Sequence, residues 1–441
     1  MGGIHPPDSK LSRAMATEVF PLPEVATVLL SQHIGAPATA LVARGDKVKV
    51  GQKIGEKAGF VSSNIHSPVS GTVTAVDTAV DASGVRRPAI TIQVEGDAWD
   101  QSVDRSPELK RECALEPAHI IEKITQAGIV GMGGATFPTQ VKLSLPEGKT
   151  ADYLVINGVE CEPYLTSDHR LMLERGEEMM VGVEILARAL GVQKSYIGIE
   201  ENKPDAIGNL RGIAGGYPGI EVVPLKVQYP QGSEKQLIQA VTGRAVPSCG
   251  LPIDVGVVVQ NVGTALAVYE AVQKNKPLIE RYVTVSGKNL GRTANFLVRI
   301  GTPVSSLIEA CGGMADGGKI IGGGPMMGRA MSNPASPVTK GSSGFVVMPE
   351  AESRRTPQSE CIKCARCVSV CPMGLEPYLL IKLVQLGRTP ECEPQRILDC
   401  VECGSCSYTC PASLPLLDYI RMGKPEVLRI KREREACECK R

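Results

Sequence analysis

The chain has 441 residues, with 48 Lys and Arg against 47 Asp and Glu, 43% hydrophobic residues and 22% charged residues. This length suggests about three domains, each able to bury a core, and a net charge of +1 gives no indication of nucleic-acid binding. No run of about 18 apolar residues occurs, and MGGIHPPDSK is no signal peptide, so we expect a soluble, intracellular chain. Fifteen Cys in such a chain indicate metal ligation rather than disulfides.

Residues 1–116 are predicted to form an N-terminal β domain. From Pro21 to Trp99, short β segments alternate with Gly and Pro. Within them, VARGDKVKVGQKIG and HSPVSGTVTAV resemble the two halves of a biotinyl/lipoyl-type barrel sandwich. A carrier domain needs an exposed Lys on the turn between its halves, and the stretch 58–66 contains none. We therefore expect a carrier-like β-sandwich without a prosthetic arm.

Strand-like and helical patterns alternate over residues 117–278. This β-α-β order predicts a mostly parallel sheet with crossover helices, a Rossmann-like domain. The predicted strands are 153–157, 196–200, 221–226 and 255–261, and the main predicted helices are 177–190, 203–213 and 264–273.

Three further segments complete a multidomain α/β chain. Short β and Gly-rich stretches at 279–332 predict a β-grasp module. After a Ser/Pro/Gly-rich linker, residues 345–424 are predicted to form an α-helical ferredoxin domain that contains most of the cysteines. Residues 425–441 form a basic tail.

The strongest signal is a cysteine run that occurs twice. Each copy has the spacing C-x2-C-x2-C-x3-C-P of bacterial ferredoxins, in which three thiolates hold one 4Fe-4S cluster and the fourth reaches the other cluster. Structural zinc is the alternative, although zinc sites use two pairs of ligands rather than such a run. The predicted ligands are Cys361, Cys364, Cys367 and Cys410 for one cluster, and Cys400, Cys403, Cys406 and Cys371 for the other. The remaining cysteines are expected to be ordinary thiols, with only a weak metal signal in the last two: Cys113, Cys161, Cys249, Cys311, Cys392, Cys437 and Cys439.

A glycine-rich loop, GIVGMGGATFP at 128–138, lies between two predicted helices and is followed by Lys142. Backbone N–H groups free of neighbouring Cβ atoms can approach a planar ring or a phosphate. Downstream, Asn157, Glu160 and Glu162 follow the end of a predicted strand, where ligands bind in open α/β sheets. Together these features predict a nucleotide or flavin site.

Four segments make the resemblance to a known family specific. GIVGMGGATFPTQVKL, INGVECEPY, YPQGSEKQL and VQNVGT, in this order, resemble the FMN and NADH loops of the flavoprotein subunit of respiratory complex I. With GGIHPPDSK, QHIGAP, the carrier-like domain, the β-grasp module and the double ferredoxin motif, nearly the whole chain resembles the RnfC subunits of the Rnf complexes. These are membrane-bound, ion-pumping ferredoxin:NAD oxidoreductases.

The resemblance implies FMN, NAD(H) and two 4Fe-4S clusters as cofactors, and it implies roles for the matched residues. Glu160 and Glu162 would act at the flavin edge and on the nicotinamide nucleotide, as the catalytic pair. Val159, Ser233 and Gln260 depart from the complex I pattern. The pattern assigns no basic residue that would clamp NADH, and Arg244 is a candidate for that role. The residues implied to bind cofactor are Gly131, Gly133, Gly134, Ala135, Phe137, Lys142, Asn157, Tyr229, Gly232, Ser233, Glu234, Gln260, Asn261 and Thr264.

The predicted function is a redox relay in which FMN exchanges a hydride with NAD(H) and passes single electrons through two clusters to other Rnf subunits. We expect a peripheral position on the cytoplasmic side of the membrane, with ferredoxin reached only through another subunit. A soluble cobalamin-reductase-like flavoprotein is the alternative in the same class, and a carrier or assembly module is one from another class. The segment 421–441, with a net charge of 8 − 4 = +4, is predicted either to dock on an acidic partner or anionic headgroups or to be a solvated helix.

Overall fold

The computed structural model describes residues 2–315 and 317–438, which fold into a β-sandwich, two further sheet-containing units and a helical C-terminal unit. The α/β character predicted from the sequence is confirmed. None of the helices in these two ranges combines the length and apolar character that a membrane crossing requires.

Residues 2–20, called here the N-terminal arm, cross the other units instead of joining the sandwich that follows. Ile4 forms a β-bridge with Tyr229, and the N–H of Gly3 donates to the carbonyl of Val370 at 2.7 Å. Strand β1 (Thr17–Val19) adds in parallel to the edge of a distant sheet. Within the predicted domain 1–116, the backbone of the arm therefore pairs with segments that lie far away in the sequence.

The N-terminal β domain contains two sheets that share one core. Their orders are β2-β8-β7-β4 and β3-β5-β6. Alternate apolar residues of two neighbouring strands, such as Val28 and Ile90, are completely buried, as expected for strands with one face on the core. The strands are β2 (Val25–Leu29), β3 (Thr39–Ala40), β4 (Lys47–Val48), β5 (Lys53–Glu56), β6 (Ile65–His66), β7 (Gly71–Val80) and β8 (Arg86–Val94).

The turn at which a carrier domain would present its lysine packs against the next domain. The Asn64 amide donates to the carbonyl oxygens of Thr125 and Gln126 at 3.2 and 3.3 Å. The Gln140 amide donates to the carbonyl of Ser62 at 2.8 Å. The sandwich is thus attached to both helices that flank the glycine-rich loop.

The Rossmann-like domain has a four-stranded parallel sheet in the order β11-β10-β9-β12. Leu154 and Ile156 of β9 enter one apolar core and Val155 enters the other, so helices cover both faces. A Cβ on Gly182 would lie 1.9 Å from the carbonyl oxygen of Ala265, so the two long helices approach closely. The elements are α1 (Pro117–Gln126), α2 (Thr139–Leu143), β9 (Tyr153–Asn157), α3 (Ser167–Glu174), α4 (Gly176–Leu190), β10 (Lys194–Glu200), α5 (Pro204–Ala214), β11 (Ile220–Leu225), α6 (Glu234–Thr242), a 3-10 turn (Pro252–Val255), β12 (Val257–Asn261) and α7 (Val262–Lys274).

The third unit is a six-stranded mixed sheet in the order β1-β14-β13-β17-β15-β16. It extends beyond the predicted boundary at residue 332, because β17 pairs with both β13 and β15. The arm strand β1 closes the other edge beside β14. The elements are β13 (Glu280–Gly287), β14 (Ala294–Arg299), α8 (Val304–Ala310), β15 (Gly318–Gly322), β16 (Arg329–Ala330) and β17 (Gly344–Pro349).

The C-terminal unit is helical and carries both cysteine runs. Short helices follow at corresponding positions of the two runs, and α13 extends through the predicted tail with Val427 buried in the core. Cys439 and the side chain of Cys437 lie outside the described residues. The elements are α9 (Glu350–Ser353), α10 (Arg366–Ser369), α11 (Pro377–Gln385), 3-10 turns at Thr389–Cys392 and Ile397–Asp399, α12 (Ser405–Thr409) and α13 (Leu416–Glu438).

Candidate functional site: a nucleotide crevice beside a cysteine cavity

The carboxyl ends of two neighbouring strands, one of them at the edge of the sheet, define the crevice. The chain leaves β9 towards β10 and β11, and then places β12 on the opposite side of β9. Such a switch in strand order opens a crevice at the carboxyl ends, where ligands bind in open α/β sheets. Asn157 and Asn261 end β9 and β12 as direct register partners. The crevice therefore opens between these two asparagines.

The glycine-rich loop 128–138 is held beside the crevice by hydrogen bonds. The N–H of Met132 donates to the Thr264 hydroxyl at 2.9 Å, which joins the loop to the first turn of α7. The N–H of Gly131 donates to the carbonyl of Phe137 at 2.8 Å and closes the loop on itself. The Thr264 hydroxyl, which is predicted to lie near a ligand phosphate, accepts the Met132 N–H and keeps its own O–H donor.

The tip of the loop leaves its backbone accessible. Gly133, Gly134 and Ala135 are exposed. A Cβ on Gly133 would lie 3.6 Å from the Cβ of Asn261, so the tip reaches the end of β12. Gly134 has φ +113°, a conformation in which a side chain would be strained. A planar ring can approach this backbone closely.

Polar groups suited to a phosphate or a ring lie at the end of β12. Gln260 is buried, and its Nε2 has no hydrogen-bond partner among the described residues. The side-chain oxygen Oδ1 of Asn261 accepts the Gly263 N–H at 2.8 Å, so Asn261 is the N-cap of the 13-residue helix α7. An unpaired amide next to the positive end of a helix suits an anionic cofactor such as flavin mononucleotide.

The loop that contains Tyr229, Gly232 and Ser233 lies beside the end of β9. The Asn157 amide donates to the carbonyl of Gly232 at 2.8 Å, and the N–H of Gly232 lies 3.4 Å from Cys161 Sγ. A Cβ on Gly232 would come within 3.1 Å of that sulfur, which explains the glycine. Burial raises the pKa of Cys161 to about 12, so this thiol stays protonated.

Lys142 spans the crevice through an ion pair with Glu234. Its Nζ donates to Glu234 Oε1 at 2.7 Å and to the carbonyl of Val259 at 3.1 Å. Because an ammonium has three donors, one remains for a ligand. Arg244 lies elsewhere: it donates to Asp152 at 2.6 Å, beside the amino end of β9. The structure therefore brings Lys142 and Glu234 together and leaves Arg244 outside the site.

The Glu160 carboxylate caps helix α3. Its two oxygens accept the N–H groups of Asp168 at 2.8 Å and His169 at 3.2 Å. Asp168 in turn accepts the Asn261 amide at 2.8 Å. Burial, with the neighbouring Glu160 charge, raises the pKa of Asp168 to about 7. Glu160 thus shapes the turn at the strand end through its own hydrogen bonds.

Glu162 connects the crevice to the third unit. Its carboxylate accepts the N–H groups of Met326 at 3.0 Å and Met327 at 2.7 Å. A Cβ on Gly324 would lie 2.2 Å from Glu162 Oε2, so this loop meets the carboxylate at a glycine. Burial raises the pKa of the Glu162 carboxyl, although the two N–H groups oppose the shift. The side chain predicted to contact nicotinamide therefore also holds the loop 324–327.

Tyr229 connects the crevice to the C-terminal unit. It is buried, and its hydroxyl lies 2.7 Å from the carbonyl oxygen of Cys403 and 3.4 Å from Glu162 Oε1. Gln236, on α6, donates to the carbonyl of Pro372 at 3.2 Å. The wall of the nucleotide crevice and the cysteine-bearing loops are therefore in direct contact.

One predicted cysteine quartet lines a single cavity. Four thiol-bearing residues contribute to the lining of this cavity in the C-terminal unit. A 4Fe-4S cluster is held by four cysteine thiolates, which is the number of thiols in this lining. Apolar side chains such as Leu417 and Ile420 complete the lining. The four cysteines are Cys371, Cys400, Cys403 and Cys406.

The other quartet lies nearer the surface. Burial raises the pKa of Cys367, and the neighbouring Cys410 and Cys361 thiols add to the shift, so these three are close together. Cys361 and Cys364 are exposed. Within the part of the chain that the structure describes, no three His, Cys, Asp or Glu side chains form a group that could hold a metal ion. Cys367 thus has two thiols of this quartet near it, and both Cys361 and Cys364 lie at the surface.

Three basic residues that the sequence analysis missed support the loops of the crevice. Lys203 is buried and donates to the carbonyl of Val159 at 2.7 Å. Arg281 is buried and donates to the carbonyl of Met132 at 3.3 Å. Lys10 reaches the same region from the N-terminal arm. No spacing marks these side chains, since isolated basic residues usually lie on the surface.

Three family models match the chain. A model described as "Nuo51 FMN-binding domain" matches residues 124–270, one described as "RnfC Barrel sandwich hybrid domain" matches 1–97, and an SLBB domain matches 282–330.

Curated relatives match over nearly the whole chain, and each is the subunit named C of its complex. The relative from the "proton-translocating ferredoxin:NAD(+) oxidoreductase complex" of Clostridium ljungdahlii is 45% identical over 96% of this chain and 93% of that protein. The Na(+)-translocating counterpart of Acetobacterium woodii is 44% identical over 98% of each. The relative from an "ion-translocating oxidoreductase complex" of Rhodobacter capsulatus is 45% identical over 96% of this chain and 82% of that protein. Among solved structures, an NAD+-reducing [NiFe]-hydrogenase chain is 20% identical with TM-score 0.47, over 64% of this chain and 53% of that one.

Proposed function

The chain belongs to the RnfC family, whose members are subunits of the ion-translocating ferredoxin:NAD(+) oxidoreductase (Rnf) complexes, and we propose that it is the subunit of such a complex that reacts with NAD(H). The observation that carries this proposal is the contact between a nucleotide crevice and a cysteine cavity. Tyr229, in the wall of the crevice, hydrogen-bonds the carbonyl of Cys403, in the cavity, at 2.7 Å. A chain with adjacent sites of these two kinds is suited to move electrons between a nucleotide and iron–sulfur clusters.

FMN would lie between the glycine-rich loop and the ends of β9 and β12. When bound, FMN takes a hydride from nicotinamide and releases electrons singly to iron–sulfur clusters. The exposed backbone at Gly133 and Gly134 leaves room for a ring, and the unpaired Gln260 amide and the free donor of Lys142 suit a phosphate. Glu162 remains our proposed contact for the nicotinamide nucleotide, and Glu160 holds the turn beside it through the first turn of α3.

We further propose an order for the two clusters. The quartet that contains Cys371 and Cys403 contacts the nucleotide domain through Tyr229 and Gln236, so it would hold the cluster nearer the flavin. The quartet that contains Cys361 includes exposed thiols, so it would lie on the side from which electrons leave the chain. This order uses the buried cavity for the internal step and the surface quartet for the step to a partner.

The partners proposed are the other subunits of a membrane-bound complex, with the chain as a peripheral subunit on the cytoplasmic side and ferredoxin reached through another subunit. Docking through the basic tail stays a proposal. Because Val427 is buried, deleting 425–441 would also damage the C-terminal core. Arg432→Glu, at an exposed position of α13, is a milder test: salt-sensitive loss of association with the membrane subunits would support docking there.

The function is tested by anaerobic spectroscopy of purified protein that contains FMN and iron. NADH should bleach both the flavin and the cluster absorption bands. Cys403→Ser should keep the flavin response and weaken the cluster response, whereas Cys113→Ser, outside both quartets, should behave as wild type. Flavin-containing protein whose bands do not change with NADH, or protein that contains zinc in place of iron, would refute the proposal.

A further inference from the structure

The ammonium group of Lys10 lies among three backbone carbonyls of the loop that joins β9 to α3. Lys10 Nζ donates to the carbonyl oxygens of Glu160 at 2.8 Å, Glu162 at 2.9 Å and Leu165 at 2.5 Å. These contacts cross at least 150 positions of sequence, from the N-terminal arm to the nucleotide crevice. All three donors of the ammonium group are therefore used on one loop.

The loop needs a cation at this position. Glu160 and Tyr164 have φ values of +43° and +69°, which non-glycine residues rarely adopt. These conformations belong to a loop whose carbonyl dipoles converge at one point, where their negative ends repel one another. A cation at that point offsets the repulsion, as metal ions do in carbonyl-lined sites. Burial lowers the pKa of Lys10, and the neighbouring Glu160 charge opposes this shift.

The arm is held on either side of Lys10, so the ammonium group is positioned rather than free. The carbonyl of Asp8 accepts the N–H of Tyr164 at 2.9 Å. The hydroxyl of Ser12 lies 2.7 Å from that of Thr166, in a buried contact. The arm therefore lies along the same loop on both sides of the lysine.

We propose that Lys10 is a positioning residue for the nicotinamide nucleotide site: its side chain acts as a built-in cation that sets the shape of the loop 158–166. The inference rests on the proposed function, and it adds to the site a residue from a segment outside the nucleotide domain. Lys10 acts through Glu160 and Glu162, whose carbonyls it binds, and it need not touch the nucleotide.

The test compares K10A, K10M and wild type in the full chain loaded with FMN. We expect K10A to raise the KM for NADH about tenfold, with a smaller change in kcat and normal flavin content, because the loop loses its shape and the flavin pocket does not. Ammonium chloride should lower the KM of K10A towards the wild-type value, since the ion fits the vacated site. Tetramethylammonium chloride at the same ionic strength should not, because it is too large and has no N–H donors.

K10M keeps the aliphatic stem and guards against a general loss of folding. Hydrogen exchange of the amides in 158–169 should be faster in both variants, and unchanged in K47A, which replaces a lysine whose side chain is 82% exposed. If both variants have the wild-type KM for NADH and wild-type hydrogen exchange, the inference is overturned. It is also overturned if the variants lose flavin and ammonium does not restore the KM, because that result would indicate a role of Lys10 in folding. Wild-type protein that does not react with NADH would refute the proposed function instead.

Discussion

Tyr229→Phe isolates the contact between the nucleotide crevice and the cysteine cavity, because it removes one hydroxyl and keeps the ring. The hydroxyl is buried and lies 2.7 Å from the carbonyl oxygen of Cys403. Leaving a buried acceptor without its donor costs about 1–3 kcal/mol. The cost falls on the loop around Cys403, since the ring of Phe still packs against Ile4 in the same apolar cluster. We expect the local opening free energy of this loop to fall by about 1–2 kcal/mol.

Hydrogen exchange measured by mass spectrometry gives the readout. A fall of about 1–2 kcal/mol predicts amide exchange roughly 5–30-fold faster in residues 400–406, with the sandwich strands unchanged. In the Tyr229→Phe protein with cofactors bound, NADH should still bleach the flavin band. The cluster bands should respond more slowly, because the contact between the nucleotide domain and the C-terminal unit is weakened.

Tyr217→Phe is the matched control. Tyr217 is also buried, and its hydroxyl has no partner among the described residues, so its removal should leave exchange unchanged. Equal effects of both substitutions, or a Tyr229→Phe protein with wild-type exchange in 400–406, would refute the assignment of Tyr229 to this contact.

Three further predictions concern the site. Cys367→Ser should remove about four of about eight iron atoms and keep FMN, as measured by iron and flavin content, and full iron content would contradict the two-cluster assignment. Glu162→Gln should raise the KM for NADH with flavin retained, and unchanged kinetics would count against the proposed nucleotide contact. Burial raises the pKa of Asp168 to about 7 in the folded protein, above its value of about 4 in the unfolded chain. Its contribution to the free energy of unfolding should therefore be complete below about pH 4 and be lost as the pH rises through 7. The melting temperature of Asp168→Asn should therefore fall less than that of wild type between pH 5 and 8, and parallel pH profiles would show that Asp168 does not titrate there.

The main elements of the crevice could be predicted because they depend on local patterns. Alternation of apolar strands and amphipathic helices indicates a parallel sheet, and the predicted strand at 153–157 coincides with β9. The glycine-rich loop was recognisable because close approach of backbone to a ligand requires missing side chains. The spacing of Cys400, Cys403 and Cys406 could be read in the same way, since three ligands of one cluster are close in sequence.

The contacts that complete the site could not be predicted, because they join residues far apart in sequence. Lys10 donates to the carbonyl oxygens of a loop that lies at least 150 positions further along the chain. Glu162 has its partners Met326 and Met327 in another unit. Single residues whose partners are more than a hundred positions away leave no periodicity or spacing that a sequence pattern can detect.

The path of the N-terminal arm has a consequence for synthesis of the chain. The arm leaves the ribosome before its partners. The amide of Gln228 that binds Gly2 follows 226 residues later, and the side chain of Asn295 that binds Ser12 follows 283 residues later. At translation rates of roughly 5–20 residues per second, the last of these partners emerges roughly 14–57 seconds after the arm. Until β14 has been synthesised, β1 has no strand to pair with. The edge of β14 is then unpaired until β1 joins it. A nascent chain arrested before residue 294 should therefore expose Thr17–Val19 to proteases, although the contacts of the arm with Thr166 and Tyr229 can already form.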